Sequence, residues 1–499
     1  MSYQYLIQKD KVKWSIITFL GGIVLSLTLF LIIKELSIKW ALLCIIGIFL
    51  LYFPAITRNV KRFFLAALLF SLMLNLDISF LRTGHVGGVD GIMLSFFDIS
   101  LFFLYFLWLS EIVRKKNTRI NFFPKISIPT LFLFVIAYLS MINAPVKKLC
   151  LFEIIEIFKM YLGFFYLANH IKQEKDVNFV ISCLLIGLFL EGILGLAQFS
   201  TGKTYLPSGM GYSNRMVRYR SNYRVSGTWT SYNDFAWYLT FMIPISLSIS
   251  FSMTETKYKL IAASIFIVGM GGLLSTLSRA GYVSIVMSML IVLLLNFRKI
   301  KGKTSFYNFS SSAILITFII LIIFAMNPGL LKVSSNRMFV DDDHGSAESR
   351  IPQFKVAYSI IKSNPFLGIG INNYTEVVSD YDTTEEGLSS ITRFQVHNIF
   401  LQIGGEMGII GLVIFLWLII AIYREGLHYI KLNQGLMINM DIGLLGGITA
   451  FLIHGLFDAA SIGSKLFIFL WIFAGIISGI NKINSYKARQ QKVLGENLT

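Results

Sequence analysis

The residues in this sequence best suited to chemistry are a set of arginines and one histidine. Residues 201–234, TGKTYLPSGMGYSNRMVRYRSNYRVSGTWTSYND, carry Arg215, Arg218, Arg220 and Arg224 with almost no acid to balance them. A guanidinium fork grips two phosphate oxygens at once, a geometry that lysine cannot reproduce. Tyr212, Tyr219, Tyr223, Trp229 and Tyr232 are interleaved with these arginines, and such rings suit contact with sugars or headgroups. Two readings stay open for this loop, an anionic ligand or the headgroups of anionic lipids. Arg279, in LLSTLSRAGYVSIVM, falls in a short break between two apolar runs. It can snorkel to the membrane surface or point inward at a phosphate. Arg350 stands at the beginning of a third stretch, SRIPQFKVAYSIIKSNP. His397 heads HNIFLQIGGEMGIIGLVIFLWLII, where a polar loop passes into an apolar segment that both loop and bundle can reach. An imidazole titrating near neutrality suits general-base work on a hydroxyl group. A structural histidine is the competing reading.

The remaining polar groups give weaker signals. His454 lies four residues before Asp458 in FLIHGLFDAA, which makes it a candidate for burial. His85, His170 and His428 fall in connections, where surface positions are expected. Asp341, Asp342, Asp343 and His344 supply hard oxygen ligands, but consecutive residues rarely point at one ion, so a solvated acidic tip is the reading and no metal is expected. Asp98, Glu153, Glu156 and Glu191 lie inside apolar runs, where acids face a bundle interior or a wet cavity. Glu156 and Lys159 either form an ion pair on one helix face or belong to an outward-opening polar cavity. Cys44, Cys150 and Cys183 show neither disulfide nor zinc spacing and read as small apolar fillers.

The elements that hold these groups are membrane spans. With 499 residues, 55% of them hydrophobic, 14% charged and a mean hydropathy of +0.69, the chain is not a soluble globular protein. Apolar runs occupy 14–33, 39–54, 62–80, 92–110, 127–142, 150–168, 177–199, 234–252, 259–277, 280–296, 310–326, 398–422, 438–457 and 464–480. About 20 residues cross a bilayer, so some of these are short. The first run has no cleavage site for a signal peptide and reads as a retained span. Lys and Arg gather in 57–62, 111–125, 297–304 and the C-terminal tail, which places these connections and both termini in the cytoplasm. The net charge of +17 is therefore a topology signal, and nucleic-acid binding is excluded. The expected fold is an all-α polytopic membrane protein of about 12–14 transmembrane helices. It forms a single membrane domain over 1–499, with a basic extracytoplasmic loop at 200–233 and a large one at 327–397.

The large loop carries its own pattern. Ser346 or Ser349 can cap a helix, Pro352 is tolerated in its first turn, and Ile351, Phe354, Tyr358 and Ile361 recur at near-helical spacing. The result is a short amphipathic helix led by Arg350 and ended by Asn364-Pro365. The following GIGINNY reads as a close-packed turn rather than a phosphate loop.

In order, four stretches resemble the O-antigen ligase and O-antigen polymerase superfamily of bacterial envelope enzymes. They are RVSGTWTSYNDFAWYL, LSTLSRAG, SRIPQFKVAYSIIKSNPFLGIGINNY and VHNIFLQIGGEMGIIGL. The resemblance covers roughly 205–425. It implies glycosyl transfer at the outer face of the cytoplasmic (inner) membrane, without a metal or other cofactor. Glycan on a polyprenyl pyrophosphate carrier is the donor and a sugar hydroxyl of an acceptor glycan receives it. Membrane lipids, a flippase and a chain-length regulator are the further partners implied. By position, His397 is the base, Arg279 and Arg350 hold the pyrophosphate, and Arg224 is a fourth candidate. Polymerisation of repeat units (O-antigen, capsule or exopolysaccharide) is preferred over ligation of finished lipopolysaccharide chains to a terminal acceptor. A non-catalytic lipid-glycan transporter is disfavoured, because no internal repeat is visible and the arginines gather in loops rather than a central cavity.

Overall fold

The computed structural model describes residues 59–73, 77–114, 120–205, 217–219, 222–252, 255–297, 310, 350–382, 395–428, 430 and 435–496. The chain divides into two compact units, Met1–Phe64 with Tyr205–Ser213, and Leu65–Thr204 with Asn214–Thr499. The first lies almost wholly outside the described residues; the second holds all the candidate residues. The expected spans 14–33 and 39–54, nearly all of 310–326, the acidic run 341–344 and the capping serines Ser346 and Ser349 also lie outside the described residues.

The described chain is nearly all helix. Its helices are α1 (Val60–Ser71), α2 (Phe96–Arg114), α3 (Ser127–Ser140), α4 (Lys147–His170), α5 (Glu174–Thr201), α6 (Tyr232–Ser250), α7 (Thr256–Ser275) and α8 (Arg279–Phe297). After these come α9 (Arg350–Ser363), the single turn α10 (Tyr374–Val377), α11 (Ile399–Leu427), α12 (Leu436–His454) and α13 (Lys465–Glu496). Among the described residues seven helices are long and apolar enough to cross a membrane, namely α2, α5, α7, α8, α11, α12 and α13 as far as Ala488. The polytopic all-α expectation therefore holds, with two small exceptions. Strands β1 (Asp77–Phe80) and β2 (Ile92–Ser95) form an antiparallel hairpin, as do β3 (Val217–Tyr219) and β4 (Asn222–Arg224). The apolar run 62–80 is thus not one span: helix ends at Ser71 and the run finishes in β1. Its β-branched and aromatic tail, Asp-Ile-Ser-Phe, suits a strand as well as a helix.

The packing centre is α6, in which every residue from Phe235 to Ser250 is buried. A helix apolar all round has to be surrounded, and α6 packs against α7, α8 and α12. Gly443 and Gly447 of α12, four apart, let the two backbones approach closely: a Cβ at Gly443 would strike Ile245, and one at Gly447 the carbonyl of Phe241. This contact matters for function, because it brings the end of α12 against the start of α6.

Candidate functional site

His397 stands just before α11. Its neighbour Asn398 caps that helix, the side-chain Oδ1 accepting from the N–H groups of Phe400 at 2.9 Å and Leu401 at 3.0 Å. The same corner is tied to the connection after α12, where the N–H of Ile399 donates to the carbonyl of Gly455 at 2.7 Å. That connection carries Asp458, and His397 Nδ1 lies 3.0 Å from its Oδ1. The His397 side chain is 38% exposed whereas that of Asp458 is 9% exposed, so a buried carboxylate holds the inner edge of a solvent-facing imidazole. A proton on Nδ1 donated to Asp458 leaves the lone pair on Nε2, the arrangement a general base needs. Burial alone raises the Asp458 pKa, but hydrogen bonding from His397 and the positive character of His397 and His454 overcome it and hold the carboxyl below its usual range.

His454 is the last residue of α12 and is fully buried, stacked on Trp237 of α6 with ring centroids 4.7 Å apart. Its Nε2 is 3.7 Å from Asp458 Oδ2, beyond hydrogen-bond reach. The buried role expected for His454 holds, although Asp458 lies past the helix end.

The arginines approach from two other elements. Arg350 begins α9, as expected, and α9 is joined to the base corner by Gln353, whose side-chain oxygen accepts from the N–H of His397 at 3.4 Å. Burial and the nearby Arg279 charge lower the Arg350 pKa, while Asp458 raises it, so all three groups share one electrostatic environment. Arg279 begins α8. Arg224, at the end of β4, is buried; its Nε donates to the Thr276 carbonyl at 3.1 Å, and its guanidinium lies 3.3 Å from the ring centre of Tyr232. Asn233 Oδ1 links the two stretches, standing 3.4 Å from Arg224 Nη2 and 3.3 Å from Ser278 Oγ. A continuous chain of contacts and fields thus runs from His397 through Asp458, Arg350 and Arg279 to Arg224. Of the other loop arginines, Arg215 and Arg220 lie outside the described residues.

The large loop is anchored by a break in α11. Gly408 adopts φ +70°, ψ −177°, and a Cβ there would strike the Phe366 carbonyl, so only glycine fits. Interrupting the helix frees carbonyls that the loop uses: Ile369 N–H donates to Gly405 and Gly370 N–H to Glu406, each at 3.0 Å. Gly368, with φ +67°, has no room for a Cβ against Glu406. The glycine pair is the close-packed turn that its spacing suggests.

His85 corrects an expectation. Its side chain is 2% exposed, with Nδ1 2.9 Å from Glu376 and Nε2 3.1 Å from Asn372 Oδ1, so it clasps the 81–91 loop to α10. His170 is half-buried, stacked on Tyr166 at 3.9 Å, and is likewise not a simple surface residue. Lys159 lies 2.8 Å from Glu156 and 3.2 Å from Asp98, so the expected ion pair is present and widened to three groups. Sequence reasoning missed the partnership of Asp458 with His397, and the links made by Asn233, Gln353 and His85.

Residues 261–416 match the family described as O-antigen ligase. No curated protein matches the chain significantly. The matched stretch takes in Arg279, Arg350 and His397, whereas Arg224 and Asp458 lie on either side of it. This match supports the family suggested by the four sequence motifs, the O-antigen ligase and polymerase superfamily of glycosyl-transfer enzymes.

Proposed function

We propose that the protein moves glycan from a polyprenyl pyrophosphate carrier to a sugar hydroxyl at the outer face of the cytoplasmic membrane, polymerising repeat units. The observation that carries this reading is the His397–Asp458 pair at 3.0 Å in one electrostatic environment with Arg350 and Arg279. His397 Nε2 takes the proton of the acceptor hydroxyl as its oxygen bonds to the anomeric carbon. The bond from that carbon to the pyrophosphate oxygen breaks on the opposite face, which inverts the centre. Asp458 fixes the tautomer and offsets the imidazolium charge. Arg279 and Arg350 meet the charge that grows on the departing pyrophosphate, with Arg224 set beside them. A ligase uses the same chemistry on a different acceptor.

The test is the lipid-linked glycan profile after deletion of the gene. Single repeat units left on the carrier support polymerisation, and unattached long chains mean ligation. An unchanged profile of both carrier-linked and finished glycan contradicts glycosyl transfer by this protein.

A further inference from the structure

The end of the bundle opposite His397 carries a second polar site that the transfer reaction does not use. Helix α11 runs from the His397 corner to Arg424, roughly 40 Å of helix at ~1.5 Å per residue. That distance is a membrane thickness, so the two sites face opposite surfaces. There α11 packs against α3. A cavity of about 310 Å³ opens between them, rimmed by Lys125, Arg424, His428 and Asn481 and walled by Trp417 and Ile128.

The charge and shape of this cavity are unlike those of a water-filled crevice. Lys125 and Arg424 are fixed cations, and His428 adds a third when protonated. The one carboxylate among the lining residues, Glu425, accepts from Ser478 Oγ at 2.8 Å and offsets one of them. A positive surplus remains. The walls are apolar and continue out of the cavity along the exposed side chains of Ile128, Phe132 and Ile420, with Phe132 and Trp417 in ring contact at 5.5 Å. Phe122 and Phe123, next to Lys125, are exposed aromatic residues of the kind that sit at headgroup level. A free anion satisfies the cationic rim but leaves the apolar groove unexplained; a neutral lipid fills the groove but does not use the rim.

We propose that this cavity binds an acidic glycerophospholipid, its phosphate held by Lys125, Arg424 and His428 and an acyl chain lying in the α3–α11 groove. The site goes beyond the transfer reaction and is independent of it. Cationic pockets between helices at a membrane surface recognise anionic headgroups in this way.

The test uses purified full-length protein, delipidated in detergent. Thermal unfolding and native mass spectrometry are followed after adding phosphatidylglycerol, phosphatidylcholine or inorganic phosphate. The expected result is a retained phosphatidylglycerol molecule with a raised Tm, and neither effect from the other two probes. In the double variant Lys125→Ala/Arg424→Ala, retention falls at least tenfold. In Lys257→Ala/Lys259→Ala, which removes the same charge from another connection, it stays near the wild-type level. Equal retention of phosphatidylcholine overturns the acidic-headgroup claim. Equal protection by inorganic phosphate reduces the site to a free-anion site and overturns the lipid claim. Undiminished retention in the Lys125/Arg424 variant, or equal loss in the Lys257/Lys259 variant, overturns the assignment to this cavity. The comparison of the three probes on wild-type protein stands even if a variant fails to fold.

Discussion

Asp458 Oδ1 sits 3.0 Å from His397 Nδ1, across 61 residues of sequence, and only one of the two partners faces solvent. This relationship turns an exposed histidine into an oriented one. Asp458→Asn keeps the shape but can present an N–H to Nδ1, which moves the proton to Nε2 and removes the lone pair that the acceptor needs. Loss of a hydrogen bond to a charged group costs about 1.5–3 kcal/mol, or roughly ten- to a hundredfold in rate. Single-turnover transfer should fall by that amount while donor binding persists. Unchanged turnover in this variant removes Asp458 from the mechanism.

The same carboxylate gives a pH dependence of stability. Its pKa is held below the ordinary range in the folded protein, so its stabilising contribution is complete above the unfolded value of ~3.9 and is lost as pH falls through the lower folded value. The Tm difference between wild type and Asp458→Asn should be constant from pH 7 to about pH 5 and shrink below about pH 4. A difference that grows on acidification contradicts the pairing.

Arg279 and Arg350 are proposed to act as forks rather than as point charges. Arg279→Lys and Arg350→Lys keep the charge but lose the bidentate grip. Each should lower transfer by roughly tenfold or more, with KM for the donor lipid rising. Lysine variants that turn over normally exclude a clamp.

His85 bonds through both ring nitrogens to residues of the large loop, so His85→Ala leaves Glu376 and Asn372 with unfilled acceptors. The expected cost is about 1–3 kcal/mol in unfolding free energy, together with faster proteolysis near α10. A variant as stable and as protected as wild type shows that the clasp contributes little.

Much of this architecture is legible in the chain because helices in lipid are specified by long apolar runs, and α2 to α8 and α11 to α13 follow those runs closely. Arg350 at the start of α9 was legible too, through the proline after it and the Asn-Pro stop. The pairings were not. His85 meets Asn372 and Glu376 across 287 and 291 residues, and no local pattern encodes such contacts. Asp458 was read as a partner of His454 because the two are close in sequence. The chain leaves the helix after His454, and that departure lets Asp458 reach His397. The hairpin β1–β2 was hidden for a related reason: apolar residues with β-branched and aromatic side chains satisfy a strand and a span equally.

The central claim is that His397 is the base, and one variant tests it most directly. General-base catalysis contributes about 10²–10⁴-fold. His397→Ala should insert in the membrane at wild-type yield, keep its Tm and bind donor lipid, yet transfer glycan at least about a hundredfold more slowly in a single-turnover assay. A stable His397→Ala protein with near-native transfer contradicts the account, and a loss of rate matched by a loss of yield and Tm makes the histidine structural.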